Sequence, residues 1–353
     1  MAKRALRPET TEETDRLDGF PHPRETFCLV GHSAALETAA RAIRTGRLPQ
    51  AWIITGPPGI GKATLAYRIA RYLLRHGATA NGPEDLSVPA DDRVARQIMA
   101  RAHPGLLLLK REPNPQTGKM MTVISVDVIR KLANFFGQTA EAGGWRVAII
   151  DAADDMSEQA ANALLKALEE PPSNAILLLL ANAPGRLLPT IRSRCQRLDL
   201  RPIREDLVRE QLATILPKTS EQDRVALAKL ASGSIGAALA LANEEGLALA
   251  RDAEQAVDRA ANPDYAALFA VADRLGRSGD NLSKFGSFLI DALANRICAH
   301  AHKRGAANLR RWIDAWDQVK ANFERAEALN LEPRQTIVAS VHAMNEVARR
   351  NPL

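Results

Sequence analysis

The sequence predicts an α/β domain built on a doubly wound parallel sheet, followed by two all-helical regions. Apolar runs without polar alternation recur at 51–55 (AWIIT), 105–110 (GLLLLK), 145–151 (WRVAIID) and 175–181 (AILLLLA), with helical patterns near 126–136 and 157–169. Strands that are apolar on both faces and alternate with helices form a parallel sheet covered on both sides. After RLDLRP at 197–202 the strand signals stop, and alanine- and leucine-rich helical patterns take over.

Taken in order, residues 1–25 carry charge, threonine and proline with little apolar periodicity and read as a loose leader. A helix is expected over about 34–46, then the strand 51–55, then a glycine loop at 56–61. KATLAYRIARYLL continues as a helix, with Leu65, Ile69 and Leu73 at i+4 spacing. Residues 77–92 are loop by composition. Ser220 with Asp223 resembles a capping box opening a helix, and GSIGAALALA at 233–242 starts another. Phe285, Leu289, Leu293 and Ile297 make one helical stripe, and Ile337, Val341, Met344 and Ala348 make a second; at this spacing both read as core.

A chain of 353 residues exceeds one typical domain, so two or three units are expected. Apolar content of 46% with 25% charged residues fits a soluble globular protein. No apolar run approaches the roughly 20 residues that cross a bilayer, and the first residues hold no apolar signal core. The expectation is a cytoplasmic protein without membrane contact. Cys28, Cys195 and Cys298 lie far apart with no C-x-x-C pair, which argues for a reducing compartment, no disulfide framework and no zinc ribbon. A net charge of +6 is compatible with nucleic acid, but the basic residues are dispersed. Their densest group, HKRGAANLRR at 302–311, reads as a solvated helix junction.

The chemistry concentrates in GPPGIGKAT: Gly56, Pro57, Pro58, Gly59, Ile60, Gly61, Lys62, Ala63 and Thr64. Strand, glycine loop and helix are the context a phosphate-binding loop requires; its N–H groups and the helix N-terminus cradle phosphate oxygens while the lysine supplies charge. Ala63 stands where a Ser or Thr hydroxyl holds magnesium. Thr64 is rotated about 100° away along the helix. Asp151 closes its strand in the position of a Walker B carboxylate, but the next residue is Ala152 rather than an acid. Asp154 and Asp155 read as loop or helix-start residues.

Three stretches, LVGHSAALETAARAIRTGRLPQAWIITGPPGIGK, WRVAIIDAADDMSEQAANALLKALEEPP and LLPTIRSRCQRL, together resemble the AAA+ clamp-loader family. The resemblance is strong over about 29–202 and looser to the C-terminus. It implies a leader (1–28), an AAA+ α/β domain (29–203), a helical lid (204–260) and a C-terminal helical collar (261–353) that joins subunits. It implies that Arg194, between Ser193 and Cys195 in the family's SRC motif, acts as an arginine finger on a neighbour's ATP site. Asn182 matches the polar sensor position, with a strand-capping asparagine as the alternative. The second sensor, an arginine in a G-S-x-R context, is missing: Gly233, Ser234 and Ile235 are followed by Gly236. Residues 77–103 lack the cysteines of the zinc module that some relatives carry, so no zinc is expected.

Ala63, Ala152 and Gly236 thus replace a metal hydroxyl, a catalytic acid and a sensor arginine. Each such group commonly stabilises a hydrolytic transition state by several kcal/mol. The expectation is a stator-like subunit with a degenerate ATP site, requiring no cofactor and at most holding ATP, ADP or phosphate weakly. Its implied partners are gamma/tau-type and delta-type subunits in a hetero-pentamer, and through them the sliding clamp and primed DNA during replication. Two alternatives stay open: an active AAA+ ATPase (a motor subunit or branch-migration helicase), kept alive by Lys62 and Asp151, and a sequence-independent DNA-binding protein.

Overall fold

β1 (Ala51–Thr55) is flanked on one side by β5 (Gln196–Asp199) and on the other by β4 (Ala175–Ala181), in a five-stranded sheet of order β2-β3-β4-β1-β5. β2 is Leu106–Leu109 and β3 is Arg146–Ile150, and every pairing is parallel. The computed structural model describes residues 16–17, 19–79, 81–114, 117–118, 120–137, 144–170, 172–242, 244–275, 281–304, 309–329 and 331–350. α1 (Ser33–Arg44) precedes β1, and between the strands run α2 (Lys62–His76), α3 (Arg93–Met99), α4 (Val126–Gly137), α5 (Glu158–Glu169) and α6 (Pro189–Arg194).

Every residue of β1, β3 and β4 is buried, as the unbroken apolar runs require. Alternate side chains serve the two faces. Ile53, Ala148, Ile150, Leu177 and Leu179 pack with Val128, Ile129 and Leu132 of α4 and Leu164 and Leu168 of α5. The intervening Trp52, Ile54, Leu178 and Leu180 are equally buried, and α2 contributes buried Leu65, Ile69 and Leu73. α2 packs against β1, β3 and β4, and α1 against β5. The sheet is therefore covered on both sides, a doubly wound arrangement. It places the C-terminal ends of β1, β3 and β4 at one edge, where ligands of such sheets bind.

Two local features depart from the sequence reading. The first fifteen residues of the expected loose leader lie outside the described residues, but its end is docked. His22 caps a 3-10 turn at Pro23–Glu25, Arg24 donates to the Met99 carbonyl at 3.1 Å, and buried Arg71 donates to the Arg24 carbonyl at 3.0 Å. Polar composition concealed this because the anchors are arginines satisfied by backbone oxygens. The second feature is α3, a seven-residue helix capped by the Asp92 side chain on Val94 N–H at 2.7 Å.

Beyond the sheet come α7 (Glu205–Ile215), α8 (Glu221–Leu230) and α9 (Ile235–Leu241). Ser220 caps α8, accepting from Asp223 N–H at 3.1 Å. The chain divides into two compact units, one ending at Leu239 and one beginning at Ala240. That division falls inside the span 204–260 expected of the lid. The second unit holds α10 (Glu244–Asp258), α11 (Tyr265–Leu275), α12 (Asn281–Arg304), α13 (Arg310–Leu329) and α14 (Pro333–Ala348). Both helical stripes, Phe285 to Ile297 and Ile337 to Ala348, enter one core with Leu249, Leu268, Trp312, Val319 and Phe323. No described helix is long and apolar enough to cross a membrane.

Candidate functional site

The glycine loop leaves β1 at Thr55 and enters α2 at Lys62. Gly61 caps the helix with φ 112°, and Gly59 turns the loop with φ 71°. The Lys62 ammonium has three N–H donors, and each ends on the protein: the Gly56 carbonyl at 2.7 Å, the Pro57 carbonyl at 2.8 Å and the Asn182 Oδ1 at 2.7 Å. Burial pulls its pKa down to about 8, against the opposing charges of Asp151 and Asp154. Ala63 and Thr64 occupy the first turn of α2.

The rest of the loop is held from outside. The Pro58 carbonyl accepts from Ser234 Oγ at 2.9 Å, and the Gly59 carbonyl accepts from Gly236 N–H at 2.9 Å. The Ile60 carbonyl accepts from His32 Nε2 at 2.8 Å, and burial lowers the pKa of that imidazole. Five consecutive carbonyls, 56 to 60, thus have protein donors. What the loop can offer a ligand is its N–H groups and the start of α2. Ser234 also accepts from Ala237 N–H at 3.1 Å, so one hydroxyl both caps α9 and ties it to the loop. The approach is backbone on backbone: a Cβ on Gly236 would lie 2.6 Å from Gly59 Cα.

At the ends of β3 and β4 stand Asp151 and Asn182. Ala152, next to Asp151, turns the chain with φ 56°, and a 3-10 turn over Ala153–Asp155 follows. Asp154 is buried there. Its Oδ2 accepts from the N–H groups of Asn182 at 3.1 Å and Ala183 at 2.8 Å, while Oδ1 has no hydrogen-bond partner. Asp154 therefore orients the backbone of the Asn182 turn, and the Asn182 side chain receives Lys62. Asn182 itself is exposed.

The residues of the SRC motif point in different directions. Cys195 packs against the core that β1, β3 and β4 share with α4 and α5, and burial pushes its thiol pKa up to about 12. Ser193 donates to the Thr190 carbonyl at 3.1 Å within α6. Arg194, the last residue of α6, keeps a side-chain exposure of 40%. Its Nη1 donates to the Thr190 carbonyl at 3.1 Å and its Nη2 to Glu169 Oε1 at 3.0 Å.

Gly56, Pro57, Lys62, Asn182 and the carboxylates near them thus form one cluster, and Arg194 sits apart on α6. Reasoning from sequence missed Asp154, Ser234, His32 and Glu169. Asp154 carried a signal in its position three residues past Asp151. The other three act through tertiary contacts that no local pattern encodes.

Residues 31–204 match the family described as DNA polymerase III, delta subunit. The chain is 39% identical over 145 residues to the DNA polymerase III subunit delta' of Pseudomonas aeruginosa, covering 41% of each chain. It is 34% identical over 206 residues to the subunit delta' of Escherichia coli, covering 58% of each. The matches thus span between 41% and 58% of those relatives' lengths. A solved gamma subunit-related protein of Thermotoga maritima superposes with a TM-score of 0.49 at 20% identity, covering 88% of this chain and 99% of that one.

Proposed function

We propose that this chain, whose residues 31–204 match the family described as DNA polymerase III, delta subunit, and which is similar to subunits named delta', is a stator-like subunit of a clamp loader. In this reading it does not hydrolyse ATP. It supplies Arg194 to the ATP site of a neighbouring gamma/tau-type subunit, in a pentamer that also holds a delta-type subunit and loads the sliding clamp onto primed DNA.

One contrast carries the reading. Lys62, the cation of this chain's own loop, spends all three donors on the protein. Arg194 stands half-exposed at a helix end. The missing hydroxyl at Ala63 and the missing acid at Ala152 point the same way: a phosphate entering this loop meets N–H groups, Lys62 and Asp151, but neither the hydroxyl that completes a magnesium site nor the acid that activates water. A guanidinium delivered across a subunit boundary, by contrast, neutralises charge developing on a γ-phosphate, an effect worth about 10³–10⁵ in rate where fingers act.

The test is steady-state ATPase and clamp loading by complexes rebuilt with Arg194→Ala or Lys62→Ala in this subunit alone. Arg194→Ala is expected to lower both activities with assembly intact. The loss is partial, because other sites in the ring keep their own fingers. Lys62→Ala is expected to do much less. If Lys62→Ala is the more damaging, this subunit turns over ATP itself.

A further inference from the structure

Glu169 ends α5 as Arg194 ends α6, and the two helices pack together. The carboxylate accepts from Nη2 at 3.0 Å while the Thr190 carbonyl accepts from Nη1 at 3.1 Å. Two of the five guanidinium donors are thereby committed, and the plane of the group is fixed from two sides. The helix dipole gives no reason for a carboxylate at this place, since it disfavours negative charge at a C-terminus. It favours Arg194 at the end of α6 for the opposite reason. The pair is 40% and 50% exposed, so water screens it and it adds little to stability. Its effect falls on where the guanidinium points.

We propose that Glu169 is a positioning residue for Arg194: with the Thr190 carbonyl it grips the guanidinium at the tip of α6 and leaves the remaining donors for phosphate oxygens of a neighbouring subunit's nucleotide. The inference rests on the arginine-finger reading above. An arginine that is free in solution loses rotamer entropy when it is ordered against a phosphate. One already held at both ends of its fork has less to lose. The grip is also weak enough to persist or yield as the phosphate arrives, because an exposed carboxylate returns to water without leaving a buried charge unpaired.

The experiment is a double-mutant cycle in the reconstituted complex, reading kcat and KM for ATP with clamp and primed DNA present, and assembly by native mass. Glu169→Ala is expected to lower kcat about two- to fivefold, the span that a half-exposed ion pair supports, with KM unchanged. Glu169→Gln, whose amide oxygen still accepts, retains most of the rate. In an Arg194→Ala background, Glu169→Ala is expected to change nothing further. Equal losses in both backgrounds, a faster Glu169→Ala complex, or an effect confined to KM would each overturn the proposal. If Arg194→Ala slows the complex and Glu169→Ala does not, positioning fails while the finger reading stands. If Arg194→Ala is without effect, the finger reading itself fails.

Discussion

The Lys62 ammonium lies 2.7 Å from the Asn182 carboxamide oxygen, joining the end of the glycine loop to the end of β4. Asn182 is fixed from behind by Asp154, and Lys62 is fixed from below by two loop carbonyls. A nucleotide must take the lysine away from three acceptors before it can use its charge. The isolated protein is therefore expected to release phosphate from ATP no faster than a Lys62→Ala control, and to bind nucleotide weakly and without dependence on magnesium. Phosphate-release assays and titration calorimetry check both. Tight, magnesium-dependent binding or turnover that needs Lys62 would show that the loop still works.

The same lysine makes the protein's stability depend on pH in a defined sense. Burial holds its folded pKa at about 8 against an ordinary value of 10.5. Below about 8 both folded and unfolded chains carry the proton, and the folded state bears the full burden of a buried charge. Between about 8 and 10.5 the unfolded chain binds more protons, so rising pH favours folding through this group, by up to about 1.4 kcal/mol per pH unit. Relative to Lys62→Met, the wild-type urea midpoint is expected to gain as pH goes from 7.5 to 9.5. A difference that stays flat over that window would place the lysine in contact with solvent.

Much of this was legible in the sequence. β1, β3 and β4 announced themselves because burial on both faces leaves no room for polar alternation, and their observed ends differ from the expected ones by a residue at most. Gly56 to Lys62 was legible because a strand-to-helix phosphate loop constrains its residues locally. The capture of that loop by α9 was not. Ser234 and Gly236 lie more than 170 residues from Pro58 and Gly59. Their sequence showed only that an arginine is missing, not that two glycines let backbones touch. Asp154 was read as a loop or helix-start residue because a buried carboxylate with one oxygen accepting from two backbone N–H groups looks, in one dimension, like any acidic turn.

The second unit bears on where the chain can be cut. Leu249 of α10 and Leu268 and Val271 of α11 share a core with Phe285, Leu289 and Val341. A chain ending near residue 275 strips these residues of their partners and is expected to aggregate. One ending at Leu239 leaves a unit with its own core, and is expected to stay monomeric and folded by circular dichroism yet fail to enter the proposed clamp-loader complex. Recovery of an intact pentamer with either truncation would move the assembly surface out of the C-terminal helices.

Placing an arginine at position 236, where the family resemblance expects a second sensor, tests whether the proposed loss of ATPase activity rests on one group or on the whole geometry. In an ordinary helix, replacing glycine by alanine stabilises by roughly 0.5–1 kcal/mol. Gly236 is different, because a Cβ there would lie 2.6 Å from Gly59 Cα and 2.9 Å from the Gly59 carbonyl, both backbone atoms that cannot rotate away. Any side chain must lift the start of α9 off the loop, lengthening the Gly236 N–H to Gly59 bond and pulling Ser234 from Pro58. Gly236→Ala is therefore expected to destabilise by about 1–3 kcal/mol, as overpacking does, which reverses the usual sign. Gly236→Arg should destabilise at least as much and gain no ATPase, since Ala63 and Ala152 still supply neither the metal-holding hydroxyl nor the water-activating acid. Urea unfolding of the two variants decides the matter. A stabilising Gly236→Ala would mean that α9 stands clear of the loop, and an active Gly236→Arg would mean that one residue alone silenced the site.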